Sequence, residues 1–258
     1  MTKRFPALFV SHGAPTLLID ECPTHDFLMR LGKEIGKPKG IVSVSAHWTT
    51  AEPRVTMHPS PPTIYDFGGF PNELYSLKYQ APGDLILAKR VMSLLHAQGI
   101  PADKDMSRGY DHGAWVPLML MYPEAEIPVI QLSVQPHEGP EHHLAIGKAL
   151  HALRDESILI IASGSATHNL RDFFGRKLDA ESLPYAREFT EWLKEAVVDG
   201  RTGELLDYVN RAPHAILNHP TPEHFLPLFV AMGAGYKGAL LHDAYTYGFL
   251  SMAAFQWE

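Results

Sequence analysis

The chain has 258 residues, 45% of them hydrophobic, with 22 basic against 29 acidic side chains and a formal net charge of -7. That is enough apolar material for a full α/β core. The absence of a Lys/Arg block or basic face argues against nucleic acid as a partner. One cysteine, Cys22, excludes a disulfide framework and a Cys-rich zinc module and fits a reducing compartment.

The first apolar run, Ala7 to Val10, stops at Ser11-His12-Gly13-Ala14-Pro15 and reads as a buried strand over residues 5–11 with His12 at its carboxyl end. Because the chain enters a core strand this early, no export signal is expected. No apolar stretch reaches ~18 residues, so no membrane span is expected and the cytoplasm is the expected location. After Pro23, Thr24 is the expected N-cap of an amphipathic helix running to about Ile35, with Phe27, Leu28, Leu31 and Ile35 on one face. A second strand, Ile41 to Ala46, delivers His47 and Trp48. The Pro-rich stretch from Pro53 to Pro71 contains Tyr65-Asp66-Phe67-Gly68-Gly69-Phe70. It is too aromatic for a flexible linker and reads as a long ordered loop able to cover a site.

Pro82-Gly83 opens a helix with Leu87, Val91, Leu94 and Leu95 at helical spacing, ended by Gly99 and Pro101. Asp111-His112-Gly113 leads into a short apolar helix through Met121. Ile127 to Val134 is a strand, Glu141 to Asp155 a helix, and Leu159 to Ala162 a strand that leads to Gly164-Ser165-Ala166-Thr167-His168-Asn169. Tyr185 to Val198 is amphipathic. In His219-Pro220-Thr221-Pro222-Glu223-His224, Thr221 is the expected N-cap and Pro222 the first helical residue, which puts His224 in the first turn of a helix. Two β-like runs, about 239–243 and 247–255, end the chain. Strands alternating with helices predict an α/β fold: a single domain, residues 1–258, with a central, largely parallel sheet flanked by helices on both faces.

Histidine is the unusual residue, with 15 in the chain. His12, His47 and His168 all follow apolar strands, at the end of an open α/β sheet where ligands and metals sit. Each has an ordinary alternative: a turn residue, an aromatic core corner, a hydrogen-bonded loop residue. Their repetition favours converging ligands. Neutral imidazole suits zinc and iron(II), and three ligands with open positions make a catalytic site where four closed ones make a structural one. His224 joins them because a helix N-terminus disfavours imidazolium. His142, His143 and His151 read as solvated helix residues. No nucleophile elbow, P-loop or dinucleotide fingerprint is present.

Taken together, Ser11-His12-Gly13-Ala14-Pro15, Ser45-Ala46-His47-Trp48, Tyr65-Asp66-Phe67 with Gly69-Phe70-Pro71, Asp111-His112-Gly113, Gly164 to Asn169 and Pro222-Glu223-His224-Phe225 appear in an order that resembles the class III extradiol ring-cleavage dioxygenases, in their 4,5-DOPA dioxygenase-like branch. The resemblance runs from about residue 7 to Tyr247-Gly248-Phe249-Leu250-Ser251-Met252. It implies one divalent metal per chain, with His12, His47 and His224 as ligands. His168 is implied as acid/base or as a fourth ligand closing a four-histidine zinc site, and His112 as a catalytic histidine near the substrate. Iron(II) is implied for activity and zinc(II) for purified protein. The implied partners are a small catechol and dioxygen, with a muconic semialdehyde as product. Tyr65, Phe67, Phe70 and Trp48 are expected to wall the ring on aromatic character alone. Two other readings use the same residues: a zinc-dependent hydrolase, and a non-catalytic zinc-binding protein.

Overall fold

Short runs that are apolar without alternation form the centre of the molecule. The computed structural model describes residues 3–258. In order its elements are β1 (Ala7–Ser11), α1 (Pro23–Ile35), β2 (Gly40–Thr49), β3 (Arg54–Thr56), α2 (Leu85–Ala97), β4 (Asp103–Asp105), α3 (His112–Met121), β5 (Val129–Val134), α4 (Gly139–Leu150) and β6 (Ile158–Gly164). The second half holds α5 (Pro184–Val198), the short α6 (Thr202–Leu206), α7 (Tyr208–Arg211) and α8 (Ala215–Asn218), then α9 (Pro227–Ala234), β7 (Gly238–His242), β8 (Tyr245–Thr246), β9 (Leu250–Ser251) and β10 (Ala254–Trp257).

Eight strands make one sheet in the order β4-β3-β5-β2-β6-β1-β10-β7. The central pairs β5-β2, β2-β6 and β6-β1 are parallel, whereas β10 runs antiparallel to both β1 and β7. Every residue of β1, β5 and β6 is buried, as strands covered on both faces require. Successive side chains alternate between the two covers. Ala7 and Phe9 face the core formed with α2, α4, α5 and α9, and Leu8 and Val10 face the core formed with α1 and α3. Helix α9 is buried all round, which explains why its sequence shows no polar face. The expected α/β architecture, a largely parallel sheet with helices on both faces, is the one observed.

Local differences have local causes. Pro23 takes the first helical position of α1, so Cys22 is the N-cap and Thr24 lies inside the helix, its hydroxyl 3.0 Å from His242 Nε2. Strand β2 continues through Thr49, with an irregular register to β5 between Val44 and Thr49, so His47 and Trp48 are strand residues rather than loop residues. Within the expected 53–71 loop, Arg54–Thr56 forms β3, pairing with β4 and β5. Helix α4 ends at Leu150 and a tighter 3-10 segment covers His151–Glu156. The last β-like run opens on a turn at Tyr247 and Gly248, both at positive φ, and is divided at Met252 and Ala253 into β9 and β10. No helix among the described residues is long and apolar enough to cross a membrane.

Candidate functional site

The carboxyl ends of β1, β2 and β6 lie side by side, which places His12, His47 and the loop to His168 at one edge of the sheet. His12 continues the β1 ladder by donating its backbone N–H to Gly164 O, at 3.0 Å. The segment carrying His224 is docked on the end of β6, where Ser165 N–H donates to His224 O at 2.8 Å. A side chain on Gly164 would strike that carbonyl, so this close approach needs glycine. His224 sits on a turn closed by Leu226 N–H to Pro222 O, and the helix proper begins at Pro227. Thr221 spends its hydroxyl on Glu223 Oε1 and caps no helix. Contrary to the sequence expectation, then, no helix N-terminus holds His224 neutral. Burial does so, pushing the imidazole well below its ordinary value, with His168, His47, His12 and His112 adding to the effect.

Three imidazoles meet through one type of atom. His47 Nε2 lies 3.1 Å from His12 Nε2 and 3.2 Å from His224 Nε2. The opposite nitrogens face oxygens. Ser163 donates its hydroxyl proton to Gly113 O, so its oxygen accepts from His12 Nδ1–H at 2.9 Å. Glu223 Oε1 accepts from His224 Nδ1–H at 3.1 Å, and Asp66 Oδ2 lies 3.4 Å from His47 Nδ1. Protons on all three Nδ1 atoms leave three Nε2 lone pairs pointed at one another, an arrangement that repels unless a cation lies between them. Two nitrogens bound to one ion at ~2.0–2.1 Å stand about 3.0–3.4 Å apart, which the observed separations match. Burial lowers His12 well below its ordinary pKa and His47 to about 4, so both imidazoles are neutral at pH 7, the form that binds a metal.

Around this trio stand His112 and His168. His112 opens α3. Its backbone N–H and its Nδ1–H both reach Asp66 Oδ1, at 2.9 and 3.0 Å. Burial raises the Asp66 carboxyl, but the hydrogen bonds and charge of His112, with a contribution from His47, outweigh it and bring the group to about 2. The His168 ring stacks on His224 with centroids 3.4 Å apart and planes 9° from parallel. Imidazole donates within its ring plane, so two rings stacked face to face do not aim their lone pairs at one point. Burial, with smaller effects from His219, His47 and His112, holds His168 down at about 3.

These groups line a cleft of about 880 Å³ together with Phe67, Phe70, Leu170, Phe173, Phe174 and Tyr247. Its charged lining residues are Asp66 and Glu223; no lysine or arginine lines it among the described residues. Two of the aromatic residues expected at the substrate are elsewhere. Trp48 follows His47 in a strand and therefore faces the opposite way, 5% exposed beneath the Arg108 guanidinium. Tyr65 packs on Phe67 and Trp115 and bonds Leu77 O, behind the cleft wall. His143, expected on a solvated face, is fully buried: it donates to Gly139 O and accepts from Gln135 N–H. Sequence reasoning did not single out Asp66, Glu223 and Ser163 as partners of the histidines, nor Phe173, Phe174 and Tyr247 as cleft residues. The only available signal was the acidic residue beside His224.

Residues 6–255 match the family described as the catalytic LigB subunit of aromatic ring-opening dioxygenase. A relative named 4,5-DOPA dioxygenase extradiol from Beta vulgaris is 46% identical over 256 residues, covering 96% of this chain and 94% of that protein. Another of the same name from Escherichia coli K12 is 41% identical over 235 residues, covering 90% and 86%. The crystal structure of an uncharacterized protein from Escherichia coli K12 superposes with a TM-score of 0.82 at 35% identity, covering 99% of this chain and all of the other. The chain belongs to the LigB family of class III extradiol dioxygenases. It is a metal-dependent oxidoreductase that opens the ring of a catechol with dioxygen. That family membership favours the dioxygenase over the hydrolase and the non-catalytic zinc protein, which the residues alone left open.

Proposed function

We propose that the chain acts as one catalytic domain over residues 1–258 and cleaves an L-DOPA-like catechol to a muconic semialdehyde, with its metal held by Nε2 of His12, His47 and His224. The observation that carries the ligand assignment is the set of Nδ1 partners, Ser163 Oγ, Asp66 Oδ2 and Glu223 Oε1, which leaves three convergent lone pairs. An all-imidazole set suits both iron(II) and zinc(II). Iron(II) is the metal of the active enzyme in this reading, and zinc(II) the one a purified sample carries. When bound, the divalent ion lowers the pKa of the catechol hydroxyls and brings catecholate and dioxygen together.

The protein's own groups do the rest. His168, stacked on His224 rather than aimed beside it, serves as acid/base and not as a fourth ligand. Held neutral by burial, it takes a proton from a catechol hydroxyl. The adjacent catecholate charge then draws its pKa upward, so the proton is retained until the O–O bond breaks and the departing oxygen accepts it. His112, with Nδ1–H given to Asp66, presents Nε2 to the substrate side of the cleft. Phe67 and Phe70 wall the aromatic ring and keep water from it. The two lining carboxylates favour a side chain bearing an ammonium group over an anionic one. This fits an L-DOPA-like catechol, and two relatives carry the name 4,5-DOPA dioxygenase extradiol. The single free cysteine supports a cytoplasmic location.

The test is oxygen uptake by protein reconstituted anaerobically with iron(II), across a panel of catechols that includes L-DOPA. One dioxygen per catechol and a yellow product are expected, with L-DOPA ahead of catechols carrying only a carboxylate. No oxygen uptake with any catechol would overturn the reading.

A further inference from the structure

We propose that Asp66 is a positioning residue that sets the tautomers of His47 and His112 together, so that one carboxylate ties the metal-holding trio to the substrate-side histidine. The proposal rests on the reading of His47 as a ligand and His112 as a group that meets substrate. The geometry is specific. Asp66 Oδ1 accepts both the backbone N–H and the Nδ1–H of His112, and Oδ2 lies 3.4 Å from His47 Nδ1. The two rings are themselves in contact, with centroids 3.9 Å apart. A carboxylate has no proton to give, so His112 Nδ1 carries its own, and the charge of Oδ2 at 3.4 Å from His47 Nδ1 draws the His47 proton to that nitrogen as well. Each ring is thereby left with its Nε2 lone pair turned away from Asp66, His47 toward His12 and His224 and His112 toward the cleft.

The loop is built to hold this residue still. Ile64 N–H donates to Tyr110 O at 2.7 Å, and Trp115 Nε1–H donates to Ile64 O at 3.0 Å, so the chain just before Asp66 is stitched to the start of α3. Tyr65 anchors the other direction through Leu77 O at 2.7 Å. The Asp66 side chain is only 21% exposed, although a side chain added at Gly68 or Gly69 beside it would meet open space. A plain capping role for α3 does not account for the placement. Asp111 already caps that helix through Ala114 N–H, and capping requires nothing at His47.

The change Asp66→Asn separates the two roles. The amide oxygen can still accept from His112 at Oδ1, so the helix start is retained. The amide NH₂ then replaces Oδ2 and faces His47 Nδ1–H, two donors in conflict. His47 is expected to move its proton to Nε2, which removes one lone pair from the trio. Zinc(II) affinity of the metal-free protein, measured by chelator competition, is expected to fall 10–100-fold in Asp66→Asn, the usual range for a group that orients a metal-bound histidine. Long-range ¹H–¹⁵N spectra of the zinc-loaded protein should show His47 protonated at Nδ1 in the parent, and that signal should be weakened or lost in the variant at the same zinc concentration. Asp66→Glu, which keeps the carboxylate, should recover part of the affinity. Zinc binding within two-fold of the parent in Asp66→Asn, with the His47 proton still on Nδ1, would overturn the proposal. His47→Ala provides the separate control: loss of zinc there with Asp66→Asn unaffected sinks only the role of Asp66, whereas zinc binding unaffected by His47→Ala sinks the ligand reading itself.

Discussion

The floor of the cleft and its rim are built by different means. The floor consists of side chains fixed to the ends of β1, β2 and β6 and to the start of α3: His12, His47, His112 and Ser163 are buried or nearly so and have named partners. The rim is two loops carrying aromatic residues, Phe67 to Phe70 on one side and Leu170 to Phe174 on the other. On it Phe174 is 89% exposed, and Gly69 has a positive φ and open space where a side chain would project. Preorganised polar geometry is what metal binding and proton transfer need, and sheet ends supply it. Choice of side chain on the catechol is left to loops that tolerate change. The comparison therefore divides the chemistry from the selection of substrate.

The sharpest way to break this division is at the floor. His12→Ala, His47→Ala and His224→Ala should each lose bound metal and fall to background activity, read by metal analysis and oxygen uptake. His168→Gln should keep the metal content of the parent but lower kcat about 10²–10⁴-fold, the usual worth of a positioned acid/base. If it lost metal as readily as His47→Ala, His168 would belong with the ligands.

Acid should reach the buried histidines before the rim. His143 and His219 lie outside the trio, and burial lowers each from the ordinary 6.5 to about 4, partly offset in each by a hydrogen bond to a backbone carbonyl. The unfolded chain binds these protons first, so the stabilisation is fully present above pH 6.5 and is lost as the pH falls through 4. Each site contributes on the order of 3 kcal/mol over that window. Denaturant midpoints of the metal-free protein should fall with acidification, and His143→Gln or His219→Gln should flatten the slope. At the rim the effects are smallest. Phe67→Ala should raise KM about 5–30-fold, the cost of losing an aromatic wall, with kcat and metal content close to the parent. Phe174→Ala should change KM no more than a few-fold.

Much of the floor was legible in the sequence because its signal is local. An apolar run followed by histidine marks a sheet end, and this holds for His12 and His168. His47 was found by the same pattern although β2 runs past it, and that extra length explains why Trp48 turned away from the cleft. His224 was placed correctly in the chain but on the wrong local structure, since Pro222 starts a turn and Pro227 starts the helix. His143 looked solvated because its neighbours in sequence are polar, while its partners, Gln135 and Gly139, come from the turn before α4. The rim was the least legible. Asp66 reaches His47 and His112 across 19 and 46 positions of sequence through a loop without periodicity, and Phe174 lies in a segment whose course no local pattern dictates.

The central claim is that three imidazole Nε2 atoms hold one ion while His168 stands outside it. An anomalous-scattering map from crystals loaded with a single divalent metal tests this directly. The account predicts one peak at ~2.0–2.2 Å from Nε2 of His12, His47 and His224, with both His168 nitrogens beyond bonding distance. A peak bonded to His168 in place of one of the three, or to any of the three through Nδ1, would contradict it.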